Sequence, residues 1–267
     1  MLDNIKSHYI AYIIFSNLKN KRKLNIIKYN KRMIYKLHIT DKEFKVYERL
    51  KIFNTIFKTN IKETDIEELN LSGKNIGNKE IKYLSEIEFK FLTKLNLENN
   101  KISDIGILEK LNYKRLKDLN LNLNNISNIK VLEKGKFDGL EKLSLGWNKI
   151  SDINVLEKAN FYKLKELNLH CNNISEIKVL TKVKFENLEK LSLGWNQISD
   201  IEVLKNANFK GLKELNLYIT NISNIKMLED EKFDQLQILN LGHNKIDKKE
   251  NKELFKKLRS RIEKFYI

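Results

Sequence analysis

The stretch Leu140-Glu-Lys-Leu143-Ser-Leu145-Gly-Trp-Asn148-Lys-Ile150 returns almost unchanged as Leu188-Glu-Lys-Leu191-Ser-Leu193-Gly-Trp-Asn196-Gln-Ile198. Between the two stands Leu164-Lys-Glu-Leu167-Asn-Leu169-His-Cys-Asn172-Asn-Ile174. The common form is L-x-x-L-x-L-x-x-N-x-I. Its first Leu falls at 92, 116, 140, 164, 188, 212 and 236, a step of 24 residues throughout, and an earlier copy starts at Ile66. Such a period marks a stacked architecture, in which each unit buries its apolar face only against its neighbours.

Each unit predicts one short parallel strand around L-x-L, with the two Leu and the final Ile pointing into the core. Asn100, Asn124, Asn148, Asn172, Asn196 and Asn244 form a ladder whose carboxamides can satisfy backbone groups that burial would leave unpaired. Lys74 and Thr220 interrupt it, and local irregularity is expected at both. The following Ile-Ser-(Asp/Asn/Glu)-Ile predicts a short helix on the opposite side, with Ser as its N-cap. Phe89, Tyr113, Phe137, Phe161, Phe185, Phe209 and Phe233 recur once per unit and read as a buried aromatic column.

These residues carry the leucine-rich-repeat signature, and the Ile-Ser-Asp-Ile form resembles the internalin and SDS22-like repeats, lengthened by about two residues. The resemblance covers roughly two thirds of the chain. It implies an α/β leucine-rich-repeat solenoid with a parallel sheet on the concave face and short helices on the convex face. It also implies recognition of another protein on the concave face, with no chemistry. Three parts are expected: a basic helical head over 1–65, eight repeats over 66–247, and a C-terminal capping helix over 248–267.

The net charge of +16 belongs to the two ends. Residues 1–65 carry a net +9 and residues 245–267 a net +5, against +2 for the repeats. Cys171 is the one cysteine, so no intramolecular disulfide forms, which fits a reducing compartment and a cytoplasmic or nuclear site. No apolar run is long enough to span a membrane.

Within the head, Ile10, Ile14, Phe15, Leu18, Leu24 and Ile27 have helical apolar spacing. Ile14-Phe15-Ser-Asn-Leu18, then Leu24, Ile27 and Asn30-Lys-Arg-Met33, resembles an F-box over about residues 7–40. It departs at Lys6-Ser7, Lys23 and Met33. The resemblance implies docking of a Skp1-type adaptor through those six apolar residues, making the chain a substrate receptor of an SCF-type ubiquitin ligase. Other readings of the head are a polar cap on the first repeat, or a patch for nucleic acid built from Lys19 to Lys36, which holds eight basic residues and no acid.

Residues one repeat apart stand about 5 Å from each other in adjacent strands. The columns Lys117, Glu141, Lys165, Glu189, Lys213 and Asp118, Lys142, Glu166, Lys190, Glu214 alternate in sign and neutralise one another. The column preceding each ladder Asn differs: Asn99, Leu123, Trp147, Cys171, Trp195, Ile219, His243. His170 and Tyr218 line the next column, and Gly146 and Gly194 leave the tryptophans open. An exposed stripe of this composition marks a partner-binding site on Leu123, Trp147, His170, Cys171, Trp195, Tyr218, Ile219 and His243. The opposing reading lays the tryptophans flat as internal packing. His170 and Cys171 are sequence neighbours, and His243 is three strands away, roughly 15 Å. No base and orienting partner converge on the thiol. Neither a metal set nor a Gly-rich phosphate loop is visible, so no enzyme activity and no cofactor are expected. The rival class is a structural subunit of a larger (ribonucleoprotein) assembly, anchored by the basic ends.

Overall fold

The computed structural model describes residues 41–267. Contacts divide the chain into Met1–Asp65 and Ile66–Ile267. In the first unit, helix α1 (Asp41–Phe57) carries the buried Leu50, Phe53 and Phe57, the two rings 4.3 Å apart. Lys58, at φ 49°, closes the helix, and Asn54 ties the outgoing loop by accepting from the Ile61 amide at 2.8 Å and donating to its carbonyl at 2.7 Å. The six proposed adaptor-binding residues, Ile10 to Ile27, lie outside the described residues.

The second unit is a leucine-rich-repeat solenoid. Nine three-residue strands form one parallel sheet in chain order: β1 (Glu68–Asn70), β2 (Lys94–Asn96), β3 (Asp118–Asn120), β4 (Lys142–Ser144), β5 (Glu166–Asn168), β6 (Lys190–Ser192), β7 (Glu214–Asn216), β8 (Ile238–Asn240) and β9 (Lys264–Tyr266). From β2 to β8, each strand pairs with the residue 24 positions on, as in Leu143↔Leu167. Register is pinned because a one-residue slip would turn the buried central Leu of β1 to β8 into solvent.

Two further columns fill the interior. Each ladder Asn from Asn100 to Asn196 makes four bonds. Asn124 donates to the carbonyls of Leu97, Leu121 and Asn122 at 3.0–3.1 Å and accepts from the Ile102 amide at 3.0 Å, so one side chain stitches two turns together. Thr220 does not disturb β7, whose pairing stays in register. Its one hydroxyl proton is shared between two acceptors, the Leu217 carbonyl at 3.1 Å and Asn244 Oδ1 at 2.6 Å, and Asn244 Oδ1 also takes the Thr220 and Ile222 amides at 3.2 and 3.1 Å. The irregularity expected at Thr220 is confined to the hydrogen bonding: its amide turns to Asn244 Oδ1, where Asn100, Asn124, Asn148 and Asn172 bond the next turn's carbonyl. At Lys74 the turn does differ, with both Gly73 and Asn75 left-handed. The aromatic column is buried, with rings 6.2–6.3 Å apart at Phe89–Tyr113, Phe137–Phe161 and Phe161–Phe185.

The return segments are short 3-10 helices, such as Asn154–Glu157 and Glu202–Asn206. Ser is not their N-cap, contrary to expectation, because the helix starts after the second Ile of the motif. The preceding acid or amide closes the turn instead: Asp152 accepts from the Asn154 amide at 2.9 Å, and Asn128 does the same for Lys130. At the far end, α2 (Lys252–Arg261) buries Leu254, Phe255 and Leu258. Arg261 then bonds Asp234 and the Leu228 carbonyl. The last residues do not continue as a cap but extend the sheet as β9, with Phe265 in the register position of Leu239.

Candidate functional site

The exposed residues of the strands form the floor of a groove of about 610 Å³, which makes this the concave face. Its charged edge is the pair of alternating columns. Glu141 is bridged by Lys117 at 3.3 Å and by Lys165 at 2.9 Å, while Lys142–Glu166 and Lys190–Glu214 close at 2.8 and 2.9 Å. The bonds from Lys165 and Lys117 hold the Glu141 carboxyl below the usual carboxylate range. Burial pushes Asp118 up, opposed by Lys142 and Lys94. These charges are occupied with each other.

Next to them runs a row of Asn and Ser. Asn120, Asn168, Asn216 and Asn240 each turn Oδ1 back onto the amide two residues on, at 2.9–3.1 Å. That bond occupies Oδ1; the Asn120 Nδ2 donates to Glu98 at 3.2 Å, and those of Asn168, Asn216 and Asn240 bond no protein acceptor. Beyond this row the column Asn122, Gly146, His170, Gly194, Tyr218, Gly242 alternates large and small. A Cβ on Gly146 would lie 3.1 Å from the Asn168 Nδ2 and from the His170 carbonyl. One on Gly194 would lie 2.9 Å from the Tyr218 carbonyl and 3.0 Å from the His170 Nδ1. Neighbouring atoms already crowd both positions, so only glycine fits there.

The predicted stripe forms the rim. Asn75, Asn99, Leu123, Trp147, Cys171, Trp195, Ile219 and His243 all occupy the left-handed region, with φ between 48° and 59°. The turn after each strand demands this, and asparagine meets the demand most readily. The first copies use Asn75 and Asn99. From Leu123 to Ile219 the same turn carries five side chains ill suited to it, the β-branched Ile219 most of all. Leu123, Trp147 and Trp195 remain 42 %, 52 % and 45 % exposed. The tryptophans are therefore not sealed inside, and they lean on their neighbours: Trp147 on His170 at 6.1 Å, Trp195 on Tyr218 at 6.3 Å, and Tyr218 edge-on to His243 at 5.2 Å.

The structure thus brings all eight predicted partner-binding residues onto one rim and the column beside it. It does not place the tryptophans on the groove floor, which is polar. Sequence reasoning had missed a second period. From β4 to β7 the repeats alternate, with a period of 48 residues, between Lys-Leu-Ser-Leu-Gly-Trp and Glu-Leu-Asn-Leu with His170 or Tyr218 next. The groove surface therefore repeats every second strand. The signal was present in the near-identity of 140–150 and 188–198.

His170 and Cys171 show the opposite of an activated pair, since burial pushes the imidazole down and the thiol up. Among the described residues no group of three metal-ligating side chains converges, and no helix is long and apolar enough to cross a membrane.

The family description "Leucine Rich repeats (2 copies)" matches residues 162–206, and "Leucine Rich repeat" matches residues 90–109. Among solved structures, the chain is similar to internalin C2 (inlC2) of Listeria monocytogenes, with 24% identity over 74% of this chain and 84% of that one, and a TM-score of 0.58. For an internalin (inlF) of the same bacterium the values are 25%, 74%, 70% and 0.47. For the plant peptide hormone receptor RGFR1 in complex with RGF2 they are 22%, 60%, 26% and 0.47. No curated protein matches the chain. The likeness to internalin C2 is one of fold.

Proposed function

We propose that this chain is a protein-binding scaffold that engages its partner along the rim from Leu123 to Ile219, with His170, Tyr218 and His243 beside it. One observation carries the reading: bulky apolar side chains stand at left-handed backbone positions where the first copies use Asn75 and Asn99. A left-handed non-glycine residue costs roughly 1–2 kcal/mol, less for asparagine. Trp147 and Trp195 recover little of that by burial, being about half exposed. Side chains that are costly to the fold and open to solvent are explained by a contact outside the chain.

The test is the double change Trp147→Asn with Trp195→Asn. Capture of partners from lysate falls at least about tenfold, while thermal stability holds or rises by about 0.5–1 kcal/mol per site as strain is released. A clear loss of stability with capture intact would make the tryptophans internal packing. The finer reading, a substrate receptor of an SCF-type ubiquitin ligase in the cytoplasm or nucleus, rests on the Ile14-Phe15-x-x-Leu18 pattern of the head. Calorimetry of the full chain against a Skp1-type adaptor at physiological salt decides it: heat of binding that disappears with Ile14→Ala and Phe15→Ala supports it, and no heat refutes it. The rival, a structural subunit held by its basic ends, is favoured by the net +9 and +5 at those ends and requires association that weakens steeply with salt.

A further inference from the structure

We infer that the groove and its rim take a proline-rich segment of another protein in the polyproline II conformation. This rests on the recognition reading above and specifies its ligand.

The first ground is hydrogen-bond polarity. The Oδ1 atoms of Asn168, Asn216 and Asn240 are consumed by their own turns. Their Nδ2 groups bond no protein acceptor, so the neutral floor offers donors. The carboxylates of the groove, Glu166 and Glu214, are already paired with Lys142 and Lys190. The complementary ligand is rich in acceptors, poor in donors and without net charge. A proline-rich chain is that ligand, because proline has a carbonyl but no N–H. The paired charges of the edge leave no net field for a strongly charged segment to answer.

The second ground is the period. The groove repeats every two strands, about 9.6 Å at the usual strand spacing. Polyproline II repeats every three residues, about 9.3 Å, and its carbonyls are free of internal bonds. Successive turns would place equivalent rings against the exposed faces of Trp147 and Trp195, and equivalent carbonyls over Asn168 and Asn216. An extended strand repeats at about 6.8 Å and meets the surface out of phase. An α-helix spends its carbonyls internally and has none along its length for the donor row. The third ground is aromatic: exposed tryptophans beside polar donors are how prolines are commonly held. This chain has no proline, so a second copy of it cannot be the occupant.

The experiment uses the full chain and a fluorescein-labelled oligoproline of about twelve residues, long enough for four turns. A Gly-Ser peptide and an alanine-based helical peptide of similar length serve as comparisons. Anisotropy is expected to saturate for oligoproline alone. Affinity falls about tenfold or more with Trp147→Ala plus Trp195→Ala, and similarly with Asn168→Asp plus Asn216→Asp. The Asp changes keep the turn-closing oxygen but remove the Nδ2 donor. Asn70→Asp plus Asn96→Asp, the same charge change at two turns outside the groove, leaves affinity unchanged. Circular dichroism checks that each variant folds. The proposal is overturned by no saturable binding, by equal binding of either comparison peptide, or by indifference to the Asp changes. If oligoproline fails while tryptophan-dependent partner capture persists, only the ligand assignment falls. If both fail, the rim reading falls with it.

Discussion

Ile219, a β-branched residue at φ 48°, and His170, with a buried, unpartnered Nδ1, each carry a local cost. Both sit on or beside the rim. His170 packs against Trp147 with its Nδ1 close against Gly194, and burial pushes its imidazole below the ordinary histidine value. The sign of the consequence is definite. Below about pH 6.5 the unfolded chain takes up a proton at this site and the folded chain resists it, so stability falls as pH drops through that value. Urea midpoints at about pH 7.5 and 5.5 should therefore differ more for the wild type than for His170→Gln. An equal drop in both would remove the buried imidazole as the cause. The left-handed rim could have been read from the sequence: Asn75 and Asn99 mark the turn, and the column carries that geometry onward to Trp147 and Trp195. What spacing alone does not reveal is that such a column must pay in backbone strain for its side chains.

At the scale of the turn and strand, the ladder is the strongest local device. Asn172 donates to three carbonyls and accepts one amide, whereas Thr220 donates through a single hydroxyl. Thr220→Asn is expected to stabilise the chain by about 0.5–1.5 kcal/mol, the net worth of one further buried hydrogen bond. A raised urea midpoint at unchanged slope is the readout; a lowered one would mean that the turn has adapted to threonine. Strand positions and register were legible from the 24-residue step because each strand exposes one apolar face to one core. The helix caps were not. Ser151 and Ser175 look like caps by composition, but Asp152 closes its turn two residues before a helix that starts later. Nor was β9, whose Lys-Phe-Tyr is too short to show a period and whose place is set by the open edge of β8.

Across the whole repeat unit, the charges cancel within columns and the apolar residues collect on one rim, so the fold and the candidate site occupy different columns of the same repeat. That separation explains why the solenoid could be read from L-x-x-L-x-L-x-x-N while the ligand could not: core positions answer only to neighbours within the chain, and rim positions answer to something outside it.

The alternation over 48 residues sets the grain at which this molecule can be lengthened or cut. Excising residues 164–187 would rejoin strands that still pair, yet it would set Lys142 beside Lys190 and Trp147 beside Trp195, turning a ruled surface into two copies of one mark. Excising two consecutive repeats keeps the ruling intact. The smallest heritable unit of the structure is one repeat, and the smallest heritable unit of its surface is two.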